Sequence, residues 1–127
     1  MTSDLDKLLK FLEVERIDKY IFIGKSPKHP LRVFGGQVLA QAINAAIRTV
    51  EEERSAHSLH GYFLRQGDAA KPVVYEVDCI RDGKSFTTRR VVAIQNGRAV
   101  GVTVTTTPPN PGAASCVAGA IRGMAFP

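Results

Sequence analysis

The stretch from Gly35 to Val50 limits what this chain can fold into more than any other part of it. After Gly35-Gly36, the residues Val38, Leu39, Ala42, Ile43, Ala46, Ile47 and Val50 recur at helical spacing, and further alanines fill much of the remainder. Steps of three and four residues place these side chains on one stripe of a helix. A helix with so little polar surface has to be enclosed on most sides. The spacing predicts a helix over Gln37–Val50, opened by the two glycines and left through the charged run Glu51-Glu52-Glu53-Arg54. One enclosed helix needs another layer to enclose it.

The rest of the chain supplies that layer. Downstream the apolar period changes from 3.6 to two, and Ser58–Leu64, Val73–Ile80, Phe86–Ile94 and Arg98–Val104 read as strands. The connections carry the turn dipeptides Gly67-Asp68, Asp82-Gly83 and Asn96-Gly97. Asn96-Gly97 between two apolar runs is a hairpin signal, because both residues tolerate the left-handed backbone such a turn requires. Upstream, Tyr20–Ile23 is β-branched and aromatic and ends at Gly24, so it reads as a further strand, followed by a loop over Lys25–Pro30. Before it, Leu5, Leu8, Leu9 and Leu12 fit a short amphipathic helix capped by Ser3 or Asp4. An antiparallel sheet wrapped around one long central helix is the α+β arrangement called a hotdog. The expected domain is residues 1–107. Residues 108–127 begin Pro108-Pro109-Asn110-Pro111, continue with small residues and lack any period, so a loosely packed tail is expected there.

Charge and cysteine usage narrow the partners. Lys and Arg outnumber Asp and Glu by 17 to 12, a net charge of +5 that attracts anions without selecting among them. The basic residues form no dense block, which disfavours a nucleic-acid arm. No apolar run approaches the ~20 residues of a membrane span, so membrane insertion is not expected. Cys79 and Cys116 have neither metal nor redox spacing and read as reduced thiols, consistent with a cytoplasmic protein or one of an organelle matrix such as the peroxisome. G-x-S-x-G, G-x-x-x-x-G-K-[ST] and G-x-G-x-x-G are absent, which leaves the hydrolase and nucleotide-phosphate folds built on them unsupported.

Several motifs, in order, resemble the type II acyl-CoA thioesterases. Val33-Phe34-Gly35-Gly36-Gln37 leading to Ala40-Gln41-Ala42 is similar to that family's helix entrance. His57-Ser58-Leu59-His60-Gly61-Tyr62-Phe63-Leu64-Arg65 with Gly67-Asp68 resembles the next strand and turn. Pro72, Tyr75 and Val77 fit the strand after it, and Arg81-Asp82-Gly83-Lys84-Ser85-Phe86 with Arg89, Val91, Ala93 and Gln95-Asn96-Gly97 fits the strand pair that follows. The likeness runs from about Leu8 to Val104. It implies hydrolysis of fatty acyl-CoA to free acid and CoA, without metal or other cofactor, CoA being part of the substrate. It also implies two fused hotdogs in a chain about twice this long. The Asp, the Thr or Ser and the Gln that activate water in that family belong to the second hotdog, so none has a counterpart here. A lone hotdog leaves strand edges unpaired, and a homo-oligomer formed by hotdog pairing is expected.

Thioester hydrolysis needs a polarised carbonyl, an activated water and a pocket. Amides at a glycine-entered helix N-terminus suit a developing oxyanion, which makes Gly36 and Gln37 candidates. The same glycines also let the chain turn and pack closely. The helix from Gln37 to Thr49 contains no Asp or Glu to serve as base, in keeping with a half that binds acyl-CoA or a partner without turning it over. His57 is a candidate for contact with substrate near neutral pH. His57 and His60 stand three apart on a strand and so point to opposite faces; one is expected buried, the other at an interface, with no shared metal. Asp68 reads as a turn residue. Arg81, Lys84, Arg89 and Arg90 crowd one hairpin and are candidates for the CoA phosphates, although solvated strand charges are the commoner explanation for such a group.

Overall fold

Ser3 opens the first helix. Its hydroxyl accepts the Asp6 amide while the Asp6 carboxylate accepts the Ser3 amide, a reciprocal cap for helix α1, Asp4–Leu12. This computed structural model describes residues 3–26 and 35–107. After α1 come strand β1, Glu15–Asp18, strand β2, Ile21–Gly24, and helix α2, Gly35–Ile47. Strands β3, Ser58–Phe63, β4, Val73–Asp82, β5, Thr87–Gln95, and β6, Arg98–Thr107, follow. Among the described residues the six strands form one antiparallel sheet in the order β1-β2-β4-β5-β6-β3. Helix α2 lies across it, mainly on β5 and β6. This is the hotdog arrangement. The segment 108–127 and the loop residues 27–30 lie outside the described residues.

The strand bounds agree with the periodicity to within a few residues, and the turn at Asn96-Gly97 has φ of 53° and 72° at its two residues, as a tight hairpin needs. Strand β1 had no sequence signal. Glu15-Arg16-Ile17-Asp18 is exposed throughout, so burial imposes no alternation on it, and it exists by pairing with β2. Helix α2 begins two residues earlier than expected and takes in both glycines, then stops at Ile47.

Alternation sorts the sheet's two faces. Val73, Tyr75 and Val77 of β4 and Arg89, Val91 and Ala93 of β5 are buried on the helix side, against Val38, Gln41, Ala42, Ala45 and Ala46 of α2. Small residues at 42, 45 and 46 let the helix approach the sheet closely. Two register slips modify the pattern. One leaves Ile80 of β4 unmatched, which returns Asp82 to the face of Arg89. The other leaves Val100 of β6 without a cross-strand partner between Ala93 and Ile94.

The enclosure of α2 is one-sided. Leu39 and Ile43 are half-buried and Ile47 is 40% exposed, so a stripe at spacing four remains open. It adjoins the edge strand β3, where Leu59, Tyr62 and Phe63 are exposed. The leucines of α1 are also uncovered: Leu5, Leu8 and Leu9 are at least half exposed. Among the described residues no helix is long and apolar enough to cross a membrane.

Candidate functional site

A cavity of about 360 Å³ lies at the N-terminal end of α2. Val38 from the helix, Val73 at the start of β4 and Val100 of β6 form its buried floor. Phe63, Leu64, Arg65 and Gln66, where β3 runs out, form an exposed rim. Gly35 joins the rim to the helix. A Cβ built there would stand 3.0 Å from the Phe63 ring, so glycine is what lets the ring cover the first turn. The amides of that turn, Gly36 among them, have no acceptor within the helix and carry the positive end of its dipole. An apolar floor beside donors without an intrahelical acceptor suits a ligand with an apolar tail and a carbonyl or anionic head.

Two glutamines hold the chain that leads to this end. Gln37 donates to the Ser26 hydroxyl at 2.8 Å, and its carboxamide nitrogen also lies 3.5 Å from the Lys25 carbonyl. Gln41 is fully buried; its nitrogen donates to the carbonyls of Phe11 and Lys25, and its oxygen accepts the Tyr75 hydroxyl at 2.6 Å. Burial pushes the Tyr75 phenol well above its ordinary range, because the ionised form would lose its water. Gly24 leaves room for this cluster, since a Cβ there would collide with the Gln41 carboxamide. Spaced four residues apart, Gln37 and Gln41 act on one side of the helix, and both are tied to backbone or neighbouring side chains rather than aimed into the cavity.

The remaining candidates do not converge on the cavity. His57 precedes β3, exposed, with its ring 6.1 Å from Phe86 at the opposite end of the sheet. From His57 to Phe63 the strand spans roughly 20 Å, so Gly36, Gln37 and His57 do not share a site within one copy. His60 is exposed too, with its ring 4.8 Å from Tyr62; the expectation that one histidine is buried fails, because both lie on or beside the edge strand β3, which is exposed along its whole length. Asp68 is a turn residue, accepting the Ala70 amide at 2.9 Å.

The basic hairpin also divides. Arg89 is 4% exposed; its guanidinium donates to the Thr49 hydroxyl and carbonyl, the Arg81 carbonyl and the Asp82 carboxylate, the last at 2.7 Å. It closes the C-terminal end of α2 onto the sheet, where a cation is favoured, and is not available to a phosphate. Arg90 points to the other face and pairs with Asp78 at 2.7 Å, both half exposed. Arg81 and Lys84 are exposed. The hairpin lies at the far end of β4 from Val73, roughly 25 Å along the strand, so these residues do not reach the cavity of their own copy.

Sequence reading missed the residues that form the cavity. Val73, Tyr75 and Val77 sit at alternate positions, which is a signal that they share a face. For Val100 no signal existed, since only the slip in register turns it inward. Phe63 reads as an ordinary strand aromatic until Gly35 is seen beneath it.

Comparison with known proteins bears on the family and the fold. The family model described as the acyl-CoA thioesterase N-terminal domain matches residues 25–107. The acyl-CoA thioesterase 2 of Haemophilus influenzae is 43% identical over 101 residues, covering 79% of this chain and 35% of that protein. The acyl-coenzyme A thioesterase 8 of Mus musculus is 41% identical over 104 residues, covering 79% of this chain and 32% of that one. This chain therefore spans about a third of the length of these curated relatives. The solved tesB protein of Mycobacterium avium subs paratuberculosis superposes with a TM-score of 0.78 at 37% identity, over 83% of this chain and 43% of that chain. A phenylacetic acid degradation protein PaaI of Thermus thermophilus has a TM-score of 0.67 at 19% identity, a likeness of fold alone, over 81% of this chain and 98% of that one. A lobe of this size thus makes up nearly the whole of one solved chain and under half of another.

Proposed function

This chain belongs to the family of acyl-CoA thioesterase N-terminal domains, and from that membership we propose that it is the first lobe of an acyl-CoA hydrolase, able to bind acyl-CoA but too incomplete to turn it over alone. The observation that carries the reading is the cavity at the N-terminal end of α2, where an apolar floor meets first-turn amides that have no acceptor within the helix. The amides of Gly36 and Gln37 would hold the thioester oxygen as charge develops on it. The floor would take the acyl chain. Free fatty acid and CoA would be the products, with no cofactor beyond the CoA of the substrate. The absence of any Asp or Glu on α2 favours binding without hydrolysis in the isolated lobe.

A second lobe would complete the site. The open stripe of Leu39, Ile43 and Ile47 and the exposed edge of β3 are continuous, which suits a second copy in a homo-oligomer. A twofold joining of two β3 edges runs them antiparallel. That lays the His57 end of one copy beside the Phe63 end of the other. His57 would then approach the partner's cavity, and the hairpin tip bearing Arg81 and Lys84 would move to the same end, within reach of the CoA phosphates. Such pairing supports a shared site for residues that lie apart within one copy. A cytoplasmic location is part of the same proposal, supported by the free thiol of Cys79. Nothing in the reading calls for nucleic acid or membrane insertion.

The test is to give the purified chain palmitoyl-CoA with a thiol reagent and to measure binding in parallel. Saturable binding with thiol release at the blank rate is the expected outcome. Failure to bind palmitoyl-CoA would remove the reading, and rapid release would remove its claim that hydrolysis needs more than this lobe.

A further inference from the structure

The slip in register on β6 decides what the cavity can hold. Ala93 faces Gly101 and Ile94 faces Ala99, so Val100 is one residue more than β5 can match. In an unbroken ladder, faces alternate, and since Gly101 and Thr103 are buried on the helix side, Val100 would point outward with Val102 and Val104. The extra residue turns it inward instead. Val100 is 5% exposed and completes the floor with Val38 and Val73, which are 7% and 1% exposed. Its carbonyl accepts the amides of Leu64 at 2.9 Å and Arg65 at 3.3 Å, so the cavity's rim hangs from the residue that forms its floor. Bulges beside functional sites re-aim side chains in this way.

We propose that Val100, together with Val73, is the stop that sets the length of acyl group this lobe accepts. The inference rests on the acyl-CoA reading above and names the part of that site which selects among substrates. The cavity's volume of about 360 Å³ lies near the low end of the ~300–1,000 Å³ of small-molecule pockets. Its floor consists of valines, so a chain end carrying a charge or an unpaired polar group is disfavoured there. A thioester held at the first turn of α2 sends its chain past Val38 and against Val73 and Val100. Affinity then rises about fourfold for each methylene that leaves water, and stops rising when the chain meets the floor.

Titration calorimetry with straight-chain acyl-CoAs from butyryl to palmitoyl reads that stop as a plateau. The proteins compared are the wild-type chain, Val100→Ala, Val73→Ala and Val100→Leu, each checked for its fold by circular dichroism. Val100→Ala and Val73→Ala are expected to move the plateau to acyl groups longer by roughly two carbons, and Val100→Leu to move it to shorter ones, with affinity for free CoA unchanged. If Val100→Leu does not fold, the two alanine variants decide the matter. An unmoved plateau in the folded alanine variants would overturn the proposal, as would continuous gain with length or an equal change for free CoA. Thiol release, followed in the same samples, separates this inference from the catalytic reading. A plateau that moves without turnover keeps the stop, and turnover with an unmoved plateau removes the stop alone.

Discussion

Tyr75 and Gln41 are the residues on which the cavity end of the molecule depends. Both are fully buried, and each satisfies the other's polar group across α2 and β4. Because the folded phenol holds its proton more tightly than the unfolded one, folding is stabilised fully below the ordinary tyrosine value of about 10 and loses that stability as pH rises through and beyond it. In an alkaline ultraviolet titration, Tyr75 is expected to ionise only as the near-ultraviolet dichroism of the fold disappears. Ionisation of Tyr75 with the fold intact would contradict the buried pair. The same-side placement of Gln37 and Gln41 was legible from their spacing of four. That Gln41 sits at the bottom of the core was not, because a buried glutamine depends on partners from β4, α1 and the end of β2 that are distant in sequence. Likewise Arg89 and Arg90 look alike in the sequence, and only their opposite faces make one a cap for α2 and the other a half-exposed strand charge.

At the scale of elements, α2 and the long strands β4, β5 and β6 were legible because burial on one face imposes a period, and that period survives in the sequence. Strand β1 was not, because all its residues are exposed and burial imposes no period on it. The bulges were invisible for a related reason: Val100 is apolar whichever face it takes, so its turn inward depends on the pairing with β5. The closeness of α2 to the sheet rests on its alanines. Ala45 has no exposed surface, so Ala45→Leu forces helix and strands apart and is expected to destabilise the fold by about 1–3 kcal/mol, read as a lower urea midpoint at unchanged slope. An unchanged midpoint would mean that α2 is held less tightly than this packing implies.

The whole molecule has a finished side and an unfinished one. The sheet buries one face of α2, while Leu39 and Ile43 are only half-buried and Ile47 and the adjacent edge strand β3 are exposed. The second copy proposed above would cover that face. The residues that failed to meet in one copy, His57 and the Arg81–Lys84 hairpin on one side and Gly36 with Gln37 on the other, would be brought together by that pairing. Sedimentation velocity at micromolar concentration tests it directly. A species with the mass of two chains is expected, and a monomer that persists in the presence of saturating palmitoyl-CoA would contradict a two-lobed site.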